Sequence, residues 1–133
     1  MRPKILMVDD AKALRFLVEK ALGAFDCEVR EATNGYNALF AMEQTMPDLI
    51  LLDVSMPIMT GLEMLTLMRS HPTLKAVPVI MLTSRADHLI LPQLAALGIS
   101  GMLVKPFNDT TLIEKIQTVI KLKPARPAKA KKT

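Results

Sequence analysis

The chain has 133 residues, 50% of them hydrophobic, and its 17 basic and 13 acidic residues give a formal net charge of +4. This length and apolar content exclude disorder throughout the chain and predict one domain. The lone Cys27 excludes a disulfide scaffold, no apolar run approaches the ~20 residues of a membrane helix, and the N-terminus lacks a signal-peptide pattern. We therefore expect a single soluble, cytoplasmic domain.

The positive charge is concentrated at the C-terminal end. Residues 121–133 hold six basic residues and no acid, which leaves 11 basic against 13 acidic residues in positions 1–120. Pro124, Pro127 and the lack of large apolar side chains favour a solvated segment. We predict a folded domain over residues 1–122 and a basic, disordered tail over residues 123–133. The basic isoelectric point is then no indication of a nucleic-acid-binding fold.

Five short apolar runs predict five strands, at residues 4–8, 27–32, 48–52, 77–82 and 102–104. The third run contains Leu49-Ile50-Leu51-Leu52 without alternation, which predicts a strand buried on both faces of a parallel sheet. The second run is more polar and predicts an edge strand. Cys27, at the start of that run, is expected to be a buried apolar residue.

A segment with apolar residues at every third or fourth position follows each strand, and these segments predict five helices. The fourth segment contains Pro92, which a helix tolerates only in its first turn. Either the helix begins near Pro92, with residues 85–91 in a longer loop, or it is kinked there. Of the apolar residues 89–91, we expect two to be buried, the alternative being a partner-binding surface.

The fivefold alternation of strand and helix predicts an α/β fold, a doubly wound parallel sheet with helices on both faces. Ligands of such sheets bind beyond the carboxyl ends of the strands. Polar residues stand at four of those ends, namely Asp9 and Asp10, Asp53, Thr83 and Lys105. One Asp alone is usually a helix cap, but three converging carboxylates repel one another unless a cation binds, and their oxygens suit Mg²⁺. A lysine and a hydroxyl beside them are donors that phosphoryl oxygens require.

These residues resemble the receiver domain of bacterial two-component response regulators. The motifs that carry the resemblance are Asp9-Asp10, Asn34-Gly35, the segment from Asp53 to Glu63, Thr83-Ser84, Gly98-Ile99-Ser100-Gly101 and Lys105-Pro106-Phe107. They occur in the family's order, and the resemblance covers residues 4–121. It implies a five-stranded sheet in the flavodoxin-like order 2-1-3-4-5 and the CheY-like single-domain type, with no output domain.

The resemblance also implies a role for each acidic residue. Asp53 is expected to accept a phosphoryl group from the phosphohistidine of a sensor histidine kinase or a phosphotransfer protein. Asp10, Asp53 and the backbone carbonyl of Ser55 are expected to coordinate Mg²⁺, with Asp9 acting through bound water. In the family, the residues two places after the aspartate and two after the threonine orient the water that hydrolyses the phosphoryl group. Ser55 and Arg85 occupy these places and imply slow self-dephosphorylation.

Thr83 and Lys105 are expected to contact the phosphoryl oxygens, and the resemblance implies a cis Lys105–Pro106 bond. Thr83 and position 102 form the expected switch, in which the family's aromatic residue moves together with the threonine. This chain has Met102 at that position. Either the flexible methionine fills the same pocket, or signalling depends more on the segment after Thr83.

The leading hypothesis is a phosphorylation-controlled switch that acts on an unknown downstream protein and is not an enzyme with an external substrate. The alternative is a degenerate receiver that binds partners without phosphorylation, although Asp53 and Lys105 are both present. A phosphatase of the haloacid dehalogenase type is disfavoured because Ser55 stands where that class has a second Asp. A flavodoxin is disfavoured because Asp9-Asp10 would repel the phosphate of the flavin. Neither a DNA-binding module nor a membrane segment is expected.

Overall fold

The computed structural model describes residues 2–125, in which five β-strands alternate with five α-helices and one 3₁₀ helix. Strands β1 to β5 span Lys4–Val8, Glu28–Ala32, Leu49–Asp53, Val79–Thr83 and Gly101–Val104. Helices α1 to α5 span Lys12–Leu22, Gly35–Gln44, Gly61–Ser70, Leu91–Leu97 and Asp109–Gln117. Each strand lies within two residues of its predicted bounds.

The strands form one parallel sheet in the order β2-β1-β3-β4-β5, which confirms the predicted fold. The register pairs Val8 of β1 with Leu52 of β3, and Leu52 with Met81 of β4. Every residue of β3 is buried, as its unbroken apolar run predicts, and every residue of β4 is buried as well. The predicted edge strand β2 exposes Arg30 and Glu31.

Successive side chains of the buried strands enter two apolar layers on opposite faces of the sheet. Leu51 belongs to the layer that α1 and α5 cover, together with Ile116 and the buried Cys27. Leu52 belongs to the layer that α2, α3 and α4 cover, together with Met64. Within residues 2–125, no helix has the length and apolar character needed to cross a membrane.

The fourth helix shows how the chain accommodates its proline. Pro92 lies in the first turn of α4, where a missing N–H removes no helical hydrogen bond. The preceding residues, Arg85–Ile90, form a 3₁₀ helix where the first of the two alternatives expected a loop. Ile90 and Leu91 are half-buried against the core, whereas Leu89 is 77% exposed. The helix therefore begins near Pro92, and the burial expected for this apolar segment is only partial.

Beyond α5, the chain returns to the segment between α1 and β2. The N–H of Asp26 donates to the carbonyl of Lys123 over 2.8 Å, and the N–H of Ala125 donates to the carbonyl of Ala24 over 3.0 Å. The first three residues of the predicted tail are thus paired with the domain through their backbone, which needs no apolar side chain. Residues 126–133 lie outside the described residues, and the domain boundary at residue 122 stays a prediction.

Candidate functional site

The ends of β3, β4 and β5 are held together at one edge of the sheet. Asp53 is the last residue of β3 and Thr83 is the last residue of β4, where its side chain is buried. The N–H of Val54 donates to the carbonyl of Leu82 over 3.1 Å, and the N–H of Lys105 donates to the carbonyl of Thr83 over 2.7 Å. These bonds place the predicted phosphoacceptor, threonine and lysine at adjacent strand ends.

Three carboxylates form a cluster at this edge. Asp9, Asp10 and Asp53 each place an oxygen within 4.8 Å of the others. Asp9 and Asp53 are buried, whereas Asp10 is exposed. One oxygen of Asp9 also accepts the N–H of Ala11, the residue before α1, over 2.7 Å. Because Ala11 is the N-cap residue of α1 and no side chain caps that helix, Asp9 is not a helix cap, and the cluster is the interpretation that the structure supports.

Lys105 neutralises part of the charge of this cluster. Its Nζ lies 2.6 Å from Oδ1 of Asp53 and 3.2 Å from Oδ2 of Asp9. Burial raises the pKa of Asp53 above its usual value, and repulsion from Asp9 and Asp10 adds to this effect. The hydrogen bond from Lys105 lowers the pKa but does not cancel the increase. Burial lowers the pKa of Lys105, but its bonds and attraction to Asp53 and Asp9 outweigh that effect and leave the pKa raised. The lysine is thus a lasting positive charge among three carboxylates.

The turn after β3 brings the start of α3 against the backbone of Asp53. The N–H of Gly61 donates to the carbonyl of Val54 over 2.8 Å. A Cβ atom at Gly61 would lie 3.0 Å from the carbonyl carbon of Asp53 and 3.0 Å from Cα of Val54, and it would overlap the carbonyl oxygen of Asp53. Thr60 and Glu63 form a capping box at the same helix start. Only glycine allows this approach, so Gly61 determines where α3 lies relative to Asp53.

Asp87, which the strand-end pattern did not single out, connects two loops of the site. Its Oδ2 accepts the N–H of Ser84 over 2.7 Å and the hydroxyl of Ser84 over 3.1 Å. Its Oδ1 accepts the hydroxyl of Ser55 over 3.3 Å. The Ser84-x-x-Asp87 spacing is typical of a helix start and could have indicated the local bonds. No sequence pattern indicates the contact with Ser55.

Met102 lies in β5, three residues before Lys105. Its side chain is half-buried and packs against the core layer beneath α2, α3 and α4. A groove of about 590 Å³ beside it is lined by Val104 and Phe107, among others. The Lys105–Pro106 peptide bond is cis, as the resemblance implies. Met102 thus occupies an inward position here, and its part in a switch stays a prediction.

Residues 5–117 match the family described as response regulator receiver domain. The chain belongs to this family. The receiver domain is 34% identical over 117 residues to the chemotaxis protein CheY-3 of Vibrio cholerae, which covers 87% of this chain and 90% of that protein. It is 31% identical over 121 residues to the phosphate regulon transcriptional regulatory protein PhoB of Rhizobium meliloti, covering 91% of this chain but 53% of PhoB. The chain therefore spans about half the length of that relative.

The solved structures agree with this assignment. Chemotaxis protein CheY4 of Vibrio cholerae has a TM-score of 0.84 and 36% sequence identity, and the match covers 90% of this chain and 100% of that one. Receiver domains of the CheY type are phosphoacceptor switches in two-component signalling, and the family typically binds Mg²⁺ through acidic residues. The resemblance inferred from the strand-end residues is confirmed, and the alternative of a degenerate receiver is not favoured.

Proposed function

We propose that this receiver domain accepts a phosphoryl group on Asp53 in a Mg²⁺-dependent reaction and thereby switches a protein-binding surface. The observation that carries the proposal is the 2.6 Å contact between the buried Asp53 carboxylate and Lys105 within a cluster of three carboxylates. The donor is the phosphohistidine of a sensor histidine kinase or a phosphotransfer protein, in the cytoplasm. The domain carries out no chemistry on an external substrate beyond taking up this group and losing it to water.

Asp53 acts as the nucleophile. A carboxylate oxygen of Asp53 forms a bond to phosphorus while the phosphorus–nitrogen bond of the donor breaks, and its electron pair stays on the imidazole ring. Phosphoryl transfer of this kind depends on positioning and charge neutralisation. Because Asp53 loses its carboxylate charge on becoming an acyl phosphate, Lys105 then donates to the phosphoryl oxygens.

The acidic cluster fits Mg²⁺ because three carboxylates face a single ammonium group, and carboxylate oxygens are hard ligands. Asp10, Asp53 and the carbonyl of Ser55 would hold the ion, with Asp9 acting through bound water. The bound ion would neutralise charge on the transferred phosphoryl oxygens. Asp10 is the exposed member of the cluster and leaves an approach from solvent.

Thr83 links the chemistry to the surface. Its hydroxyl, buried at the end of β4, donates to a phosphoryl oxygen, and the following segment moves with it. That segment leads into the 3₁₀ helix and the exposed Leu89, and β5 beside it carries Met102 and the exposed Val104. A downstream protein that binds this face distinguishes the phosphorylated domain from the unphosphorylated one.

The test is the intact mass of the protein after incubation with phosphoramidate and Mg²⁺. The wild type should gain one phosphoryl group, and Asp53→Asn should gain none. Asp26→Asn, which alters an exposed carboxylate paired with Arg2, is the matched control and should gain the group. EDTA should abolish the gain. A folded wild type that gains nothing with Mg²⁺ present contradicts the proposal and favours a binding module independent of phosphorylation.

A further inference from the structure

Asp87 accepts hydrogen bonds from the loop that follows β3 and from the loop that follows β4. Ser84, which donates its N–H and hydroxyl to Oδ2, directly follows Thr83. Ser55, which donates its hydroxyl to Oδ1, lies two residues after Asp53 and 32 residues before Asp87 in the chain. One carboxylate therefore determines the orientation of a hydroxyl on each side of the site.

The bond from Ser55 has a consequence for the chemistry of its hydroxyl group. A serine hydroxyl has one proton to donate and two lone pairs that accept. Because the proton is directed to Asp87, the oxygen of Ser55 presents only lone pairs to other neighbours. Ser55 is exposed, so water reaches this oxygen. A hydroxyl held in this way accepts hydrogen bonds from water and does not donate to a phosphoryl oxygen.

We propose that Asp87 is a positioning residue that turns the Ser55 hydroxyl into an acceptor for the water that hydrolyses the phosphoryl group on Asp53. This inference rests on the proposed function. The water oxygen forms a bond to phosphorus, the bond from phosphorus to the Asp53 oxygen breaks, and its electron pair restores the carboxylate. Both protons of the water leave on the phosphate product. Asp87 thus takes up no proton and acts only through Ser55.

The test follows the loss of the phosphoryl group after phosphoramidate has been removed, by intact mass in the presence of Mg²⁺. Losing one orienting hydrogen bond should slow the decay of Ser55→Ala and of Asp87→Ala by about three- to tenfold. The double variant Ser55→Ala/Asp87→Ala should be no slower than either single variant, because both changes remove the same effect. In Asp87→Asn the one amide oxygen is held by the two hydrogen bonds from Ser84, so the NH2 group faces Ser55 and cannot accept its proton. The decay of Asp87→Asn should therefore be slowed as in Asp87→Ala.

Two control variants separate this role from a structural one. Ser84→Ala removes the other hydroxyl donated to Asp87 and leaves Ser55 untouched, and it should decay at the wild-type rate. Glu43→Ala removes an exposed charge on α2 and should also decay at the wild-type rate. In the metal-free protein, Asp87→Ala should shift the backbone amide resonances of both Ser84 and Ser55, whereas Glu43→Ala should shift neither.

The outcomes that overturn the inference are distinct from a failure of the proposed function. If the wild type takes up no phosphoryl group, the proposed function fails. If it takes up the group but Ser55→Ala decays at the wild-type rate or faster, the inference fails and the proposed function stands. The inference also fails if Ser84→Ala slows the decay as much as Ser55→Ala, or if the double variant shows the product of the two single effects. Ser55→Ala and Asp87→Asn keep the test decisive if Asp87→Ala does not fold.

Discussion

Replacing Gly61 by alanine tests whether the close approach of α3 to Asp53 holds the site together. In the first turn of a helix, this change ordinarily stabilises a protein, since alanine has the better helix propensity and restricts the unfolded chain. Here the added Cβ would lie 3.0 Å from the carbonyl carbon of Asp53 and 3.0 Å from Cα of Val54. Both neighbours are backbone atoms, so no side-chain rotation removes the overlap.

The magnitude follows from the distances. Carbon atoms pack at about 3.5–4.0 Å, so α3 or the end of β3 must shift by at least about 0.5 Å. Overpacking of this kind costs about 1–3 kcal/mol of unfolding free energy. For a domain of this size, that loss corresponds to about 4–12 °C in melting temperature. Because the shifted atoms belong to Asp53 and Val54, the rate of phosphorylation by phosphoramidate should fall as well.

Gly35→Ala is the matched control. Its Cβ would lie 2.5 Å from Sδ, 2.9 Å from Cγ and 3.1 Å from Cβ of Met59. Rotation of this flexible side chain moves Sδ and Cγ away and leaves only the contact with Cβ, which requires a shift of a few tenths of an ångström. Urea denaturation and the rate of mass gain should therefore change less in Gly35→Ala than in Gly61→Ala. The reasoning is refuted if Gly61→Ala is as stable as the wild type and is phosphorylated at the same rate.

Three further predictions concern the switch, the C-terminal segment and pH. With beryllofluoride as a phosphate mimic, amide chemical shifts should change more over residues 84–91 than around Met102, because methionine can keep its inward position in both states; the reverse pattern contradicts this. Truncation after Ala125 should leave the melting temperature unchanged. Truncation after Leu122 removes two backbone hydrogen bonds and should lower the free energy of unfolding by about 1 kcal/mol and the melting temperature by about 4 °C. Equal melting temperatures of the two truncated proteins would show that the pairing contributes nothing. The pKa of Asp53 is higher in the folded protein than in the unfolded chain. The contribution of Asp53 to the free energy of unfolding is therefore fully present below the unfolded pKa and is lost as pH rises through the folded pKa. In metal-free buffer, Asp53→Asn should therefore raise the melting temperature at neutral pH, and the gain should shrink toward pH of about 4; a loss of stability at neutral pH would contradict the sign.

Much of the fold could be predicted from the sequence because buried segments are apolar and exposed segments are polar. The unbroken run from Leu49 to Leu52 is possible only where both faces of a strand are covered, and β3 is buried throughout. The alternation with helical periods then predicted the parallel sheet. The strand order entered only through the family resemblance, since periodicity carries no information on which strands are neighbours.

The site was predictable to the extent that it lies at strand ends. Asp9, Asp53, Thr83 and Lys105 meet because the carboxyl ends of parallel strands share one edge. The contact between Asp87 and Ser55 was not predictable, because it depends on how the 3₁₀ helix lies across a neighbouring loop.

Two other features depend on the backbone and could not be predicted from the types of the residues involved. Lys123 and Ala125 pair with the segment before β2 through main-chain groups that any residue other than proline supplies in full. Ile58 adopts a φ of 72° and is 76% exposed, although β-branched residues disfavour that region. Nothing in the sequence around Ile58 predicts this conformation.

The central claim is that Asp53 carries the phosphoryl group, and reductive trapping tests it most directly. Borohydride reduces an aspartyl phosphate to homoserine, so tandem mass spectrometry of the digested protein identifies the modified position. After treatment with phosphoramidate and Mg²⁺, homoserine should appear at position 53 and at no other aspartate, and it should be absent when EDTA replaces Mg²⁺. Homoserine at Asp9 or Asp10, or none at position 53 in protein that has gained the mass of a phosphoryl group, would contradict the account.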